Sequence, residues 1–146
     1  MHKYSVSVTH KFRGTGVALV TPFNNDGSID FTGLNKLINH VIDGGVEYLV
    51  AMGTTGESAT LSEQERFEII DFTLAASNGR VPVVGGFGGN NTMEIIHSIQ
   101  RYKSHCSGKK YIDAILIASP YYNKPSQEGI YQHYIAIDQV VEVPII

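Results

Sequence analysis

The sequence is short of several things that would assign it to a class. It holds a single cysteine, Cys106, in 146 residues, so no disulfide can form within the chain. That usage suits a reducing compartment, and we expect a cytoplasmic protein. No apolar run approaches the roughly 20 residues that a membrane helix needs. The net charge is only −3, which gives no electrostatic reason to expect nucleic acid or an anionic membrane as a partner. Low-complexity tracts and Pro/Gly/Ser-rich linkers are also missing. The six histidines (His2, His10, His40, His97, His105 and His133) show no metal-binding spacing such as H-E-x-x-H. We read them as surface or helix residues and expect no metal.

What is present describes a globular chain. Hydrophobic residues make up 42% and charged residues 17%, in the range of a protein with one ordinary core. Residues 1–13 are polar and carry Lys3 and Lys11. They lack the apolar centre of a secretory signal and read as an N-terminal extension to a domain over residues 14–146.

Short apolar runs recur at a fixed pitch. They are Gly16 to Val20, Val46 to Met52, Val81 to Val84, Ile112 to Ala118, and a fifth that opens at Val143. Runs without polar alternation suit strands buried on both faces, as in parallel sheets. Helical patterns lie between them. Leu34, Leu37, Ile38, Val41 and Ile42 share one face, with Gly44 and Gly45 as the stop. Ser62 and Glu65 form a capping box, Asn91 and Glu94 repeat its logic, and Ser126 caps a last helix. The starts at 16, 46, 81, 112 and 143 are 30, 35, 31 and 31 residues apart. A (β/α)8 TIM barrel spends roughly 31 residues per unit. The fold class expected is therefore α/β, with four barrel units and the opening of a fifth strand. A doubly wound sheet alternates in the same way. However, the glycines at Gly85, Gly86, Gly88 and Gly89 follow the third run and do not spell G-x-G-x-x-G.

In such barrels chemistry sits at the C-terminal ends of the strands. Four segments fall there: Thr21 to Phe23, Gly53 to Ser58, Gly85 to Asn90, and Pro120 to Pro125. In the second, glycines would let the backbone turn tightly and expose its N–H groups, with the Thr54 and Thr55 hydroxyls beside them. That combination could grip a carboxylate, although a turn that merely caps a strand has the same composition. The fourth places two phenols at a strand end. A tyrosine hydroxyl there can relay a proton, and the alternative is aromatic packing at a rim or subunit interface. Cys106 lies in the polar stretch Lys103 to Lys110, in a loop at the opposite end, away from catalysis.

Three segments resemble, in order, the dihydrodipicolinate synthase family of pyruvate-dependent class I aldolases. They are Gly16 to Phe23 (GVALVTPF), Gly53 to Leu61 (GTTGESATL) and Pro120 to Gly129 (PYYNKPSQEG). The resemblance covers the chain after about Arg13, apart from a few extra residues near Ser104 to Lys110. It implies that pyruvate forms a Schiff base with a lysine and its enamine attacks L-aspartate-4-semialdehyde. The product is 4-hydroxy-tetrahydrodipicolinate, on the diaminopimelate route to lysine, and no cofactor is implied. By position, Thr55 would bind the pyruvate carboxylate and Thr54 would link a proton relay. Tyr122 would be donated across a tight dimer into the neighbouring subunit's relay, in a homo-oligomer that is usually a tetramer. Ser58, Ala59, Gly88, Asn90, Glu94 and Tyr121 match the site at which regulated members bind L-lysine. Glu63 and Arg66 stand where those members often carry histidines. The resemblance also places the Schiff-base lysine, a central tyrosine and a substrate-binding arginine past Ile146. The 146-residue chain is therefore expected to be catalytically incomplete. Two other readings stand beside this one: another pyruvate aldolase or lyase, such as an N-acetylneuraminate lyase, and a non-catalytic module for lysine or a small carboxylate. The N-acetylneuraminate lyases typically carry Gly-Ser-Thr-Gly-Glu in the strand-2 loop, which the Thr54–Thr55 pair does not match.

Overall fold

The computed structural model describes residues 11–146. Residues 1–10 of the expected extension, with His2, Lys3 and His10, lie outside the described residues. Four strands alternate with four helices: β1 (Gly16–Ala18), α1 (Phe31–Asp43), β2 (Tyr48–Ala51), α2 (Glu63–Ser77), β3 (Val83–Gly86), α3 (Thr92–His105), β4 (Ala114–Leu116) and α4 (Gln127–Asp138). All neighbours pair in parallel, in the order β1-β2-β3-β4. Val17 sits opposite Leu49, Val50 opposite Val84, and Gly85 opposite Ile115. This is the α/β arrangement expected, with strands and helices strictly alternating.

The strands are shorter than the apolar runs that announce them. Val46 donates its N–H to Val41 O at 3.3 Å and belongs to the turn after α1. The third strand is displaced, running Val83–Gly86 where the apolar run covers Val81 to Val84. Burial and hydrogen bonding are separate demands. An apolar run marks where side chains are covered, whereas a ladder needs a partner strand at the same height. The fifth run makes a single parallel bridge, Ile145 opposite Ile115. Ile146 donates its N–H to Ile115 O at 2.8 Å. The last residues thus begin to pair on the outer edge of β4, as a fifth strand would.

The helices start where their caps predict. Ser62 and Glu65 close a complete capping box on α2, a motif contributing about 1 kcal/mol. Ser126 caps α4 by accepting from Gly129 N at 3.1 Å. At α3 only half of the expected box forms. Asn91 accepts from the Met93 and Glu94 N–H groups, but the Glu94 carboxylate is taken by Arg101 Nη2 at 2.9 Å. A guanidinium outcompetes a backbone N–H for that carboxylate because its bond is charge-assisted. At the end of α1 the left-handed residue is Gly45 (φ 91°), one position after Gly44.

The sheet divides the apolar residues by alternation. Leu49, Val83 and Ile115 face the helices and join Leu34, Ile38, Ile70 and Ile99 in the main core. Val50, Val84 and Ala114 face the other way, with Phe12, Tyr48 and Leu116 packed on them. Lys11 pairs with Asp113, and the Phe12 ring meets Tyr48 edge-on at 5.7 Å. Among the described residues no helix is long and apolar enough to cross a membrane.

Candidate functional site

Because the strands are parallel, the four segments after them converge at one end of the sheet. Two hydrogen bonds tie them together. Thr21, after β1, is buried and donates from Oγ1 to Gly56 O at 2.6 Å. Asn90, after β3, accepts the Tyr121 N–H on Oδ1 at 2.8 Å. First loop is thus held to second, and third to fourth.

The second loop differs in detail from expectation. Thr54–Gly56 is a short 3-10 turn, closed by Gly56 N to Gly53 O at 3.0 Å and Glu57 N to Thr54 O at 3.1 Å. Gly53 is extended (φ −67°), and the left-handed positions fall on Met52 (φ 60°) and Glu57 (φ 56°). The glycines serve close packing instead. A Cβ on Gly56 would sit 3.2 Å from Leu19 O, and one on Gly86 only 2.1 Å from Met52 O. The ends of β2 and β3 therefore touch backbone to backbone, and the turning falls on ordinary residues held by their surroundings. Such residues cost of order 1–3 kcal/mol each and gather at functional sites. Tyr122 (φ 68°) and Lys124 (φ 48°) are left-handed in the fourth loop as well.

A cavity of about 400 Å³ opens at this end, lined in part by Thr54, Ser58, Ala59, Gly88 and Tyr121. A smaller one of about 120 Å³ adjoins it, lined in part by Gly88, Asn90 and Glu94. Arg66 lines both. These two cavities bring together Thr54 and all six residues of the predicted effector site. Thr55 and Tyr122 line neither. Thr55 is exposed on the turn, and Tyr122 is 90% exposed. Among the described residues nothing covers the Tyr122 ring.

Beside the cavities lies a charged network that sequence reasoning missed. Arg101 on α3 binds Glu63 on α2 twice, at 2.7 and 2.8 Å, and reaches Glu94 at 2.9 Å. The Arg101 bond holds the Glu63 carboxyl below its ordinary range. Glu63 and Arg101 are 38 positions apart, so no local pattern could pair them. Thr21 was missed for the same reason, since a lone hydroxyl before a proline reads as a strand stop.

Two histidines are more than surface residues. His133 on α4 is buried, with Nδ1 2.8 Å from Thr92 Oγ1 on α3, and burial holds its pKa below the ordinary value. His105 Nε2 lies 2.8 Å from Asp71 Oδ2. Cys106 is the C-cap residue that follows α3, at the start of the loop before β4, and it is buried. Burial pushes its thiol upward, which disfavours the reactive thiolate. Among the described residues no group of three His, Cys, Asp or Glu side chains is placed to hold a metal ion.

Comparison with known proteins adds the family. The profile of the dihydrodipicolinate synthetase family matches residues 11–146. The chain is 52% identical over 135 residues to the 4-hydroxy-tetrahydrodipicolinate synthase of Flavobacterium psychrophilum, covering 92% of this chain and 44% of that protein. It is 49% identical over 137 residues to that of Cytophaga hutchinsonii, covering 94% and 44%. Among solved structures, dihydrodipicolinate synthase from Thermotoga maritima superposes with a TM-score of 0.85 at 38% identity, over 93% of this chain and 44% of that one. A chloride-inhibited synthase from Acinetobacter baumannii, solved with pyruvate, gives 0.82 at 43% identity, over 90% and 44%. The four βα units thus match the first part of barrel enzymes. The chain spans about 44% of the length of the curated relatives it matches.

Proposed function

Because the chain belongs to the dihydrodipicolinate synthetase family, we propose that it supplies the first half of an enzyme condensing pyruvate with L-aspartate-4-semialdehyde. The reaction runs through a lysine Schiff base to 4-hydroxy-tetrahydrodipicolinate, for diaminopimelate and lysine biosynthesis in the cytoplasm. The observation that carries the reading is the tied Thr54–Gly56 turn at the strand ends, beside a cavity that Thr54 shares with Tyr121.

Each residue has a stated task. Thr55 donates from its hydroxyl to the pyruvate carboxylate and orients the keto carbon. Thr54 passes a proton between hydroxyls. Tyr122 extends that relay from a second subunit, which accounts for a phenol standing 90% exposed on a left-handed backbone. The working enzyme is then a homo-oligomer, a tight dimer or a tetramer of such dimers, and L-lysine is its candidate effector. The amine comes from beyond Ile146. Burial can lower a lysine's pKa enough to make it nucleophilic, and the lysine at the strand ends here, Lys124, is exposed.

Borohydride trapping with pyruvate, read by mass spectrometry, tests the assignment. The 146-residue chain is expected to gain no adduct. The same chain extended with the C-terminal part of the Flavobacterium psychrophilum synthase is expected to gain one and to turn over aspartate semialdehyde. A stoichiometric adduct on Lys124 of the short chain would overturn the reading.

A further inference from the structure

A cavity of about 520 Å³ lies at the other end of the sheet, where the strands begin. The second half of α2 and the turn after it form one wall, with Asp71, Leu74, Ala75 and Asn78. The loop between α3 and β4 forms the other, with Lys109 and Lys110. Its size falls among small-molecule sites, roughly 300–1,000 Å³. Its charge does not balance, because one carboxylate, Asp71, meets two ammonium groups. That carboxylate is already shared: Oδ2 takes His105 Nε2 at 2.8 Å and Lys109 Nζ at 3.1 Å. Lys110 makes no ion pair among the described residues. Lys11 and Lys103, at the same end, are matched by Asp113 and Glu142. Nor is Lys110 consumed by the end of α2. A helix leaves its last four carbonyls open, and here each has another partner. Asn78 N–H serves Leu74 O and Ala75 O, Arg80 Nη2 serves Ala76 O, and Arg80 N–H serves Ser77 O. The Lys110 ammonium stands over the turn that closes α2, 3.7 Å from where a side chain on Gly79 would begin.

We propose that this cavity binds a phosphoryl group, held by Lys110 and Lys109 with the Asn78 amide as a further donor. An ammonium is a point charge with three donors, so two of them can meet the several oxygens of a phosphate without one fixed approach. Lys109 can turn to the ligand without stranding Asp71, which keeps His105. The ligand is either inorganic phosphate or a phosphate ester whose carbon chain would lie along Leu74 and Ala75. The inference is independent of the condensation chemistry and of the cavities at the opposite end. The site lies between α2 and α3, away from the open sheet edges, so association through those edges leaves it in place.

Equilibrium dialysis of the 146-residue chain at fixed ionic strength tests it, with labelled inorganic phosphate and labelled glycerol 3-phosphate as probes. One saturable site per chain is expected. Lys110→Gln should weaken binding about threefold to tenfold, the scale of one partly screened charge-assisted contact. Lys109→Gln should weaken it by a similar or smaller factor, since Lys109 first has to leave Asp71. Lys103→Gln removes the same charge from the same end of the molecule, outside the cavity, and should leave the affinity unchanged. All three lysines are exposed, so their replacement leaves the core untouched. Tighter binding of glycerol 3-phosphate assigns the ester, and equal or tighter binding of inorganic phosphate assigns the free anion; either order supports the site. Absence of saturable binding of both probes, or an equal loss in Lys103→Gln and Lys110→Gln, overturns the proposal.

Discussion

At the scale of single residues the site depends on contacts that are short and few. The Thr21 hydroxyl is buried and bonded to Gly56 O at 2.6 Å, across 35 positions of chain. Removing it leaves a buried carbonyl without that partner, at a cost of about 1–3 kcal/mol. Thr21→Val preserves shape and should lower the unfolding free energy read from urea titration by that amount, while Thr21→Ser should recover most of it. Equal stability of the valine and wild-type chains would show that the tie carries nothing. The positions of Thr54 and Thr55 after a strand were legible from the apolar run before them. The role of the glycines was not. Whether a glycine serves a left-handed turn or a close approach depends on which backbone lies opposite, here Leu19 O and Met52 O.

At the scale of elements the helix starts were legible because caps are local. Ser62, Asn91 and Ser126 act within three positions of themselves. What joins one helix to the next was not legible. His133 and Thr92 bond across 41 positions, and burial depresses the imidazole pKa. The unfolded chain takes up that proton near the ordinary value of about 6.5, while the folded chain takes it up only at lower pH. The contribution to stability is therefore complete above about 6.5 and is lost as pH falls from there to the depressed folded value. The urea midpoint of the wild type should drop between about pH 7.5 and 5.5. His133→Asn should flatten that drop, whatever its effect on stability at neutral pH. An unchanged slope would mean that His133 titrates normally.

At the scale of the whole molecule the sheet has an incomplete environment. Its helical face is filled by the main core. The other face carries a smaller cluster about Val50, Val84 and Ala114. Among the described residues β1 has β2 as its named partner strand, and the outer edge of β4 is met by the short segment 144–146, which leaves its own far side open. An unpaired edge offers a row of backbone donors and acceptors to any other chain. The 146-residue chain alone is expected to associate. Its sedimentation coefficient should rise between about 10 and 200 μM. Appending the C-terminal part of a relative should abolish that concentration dependence or reduce it to a defined oligomer. A chain that stays monomeric throughout would show that this face needs no cover.

The sequence by itself determined the alternation of strand and helix, the parallel sense of the sheet, the caps, and which loops stand at the strand ends. Each follows from periodicity or from residues a few positions apart, the range over which backbone geometry reads local chemistry. Tertiary structure alone decided which groups became partners: Thr21 with Gly56, Arg101 with Glu63 and Glu94, His133 with Thr92, and Arg66 with no ion pair among the described residues. Those pairings depend on distance in space between residues 35 or more apart in most cases. A chain acquires such distances only when its elements pack.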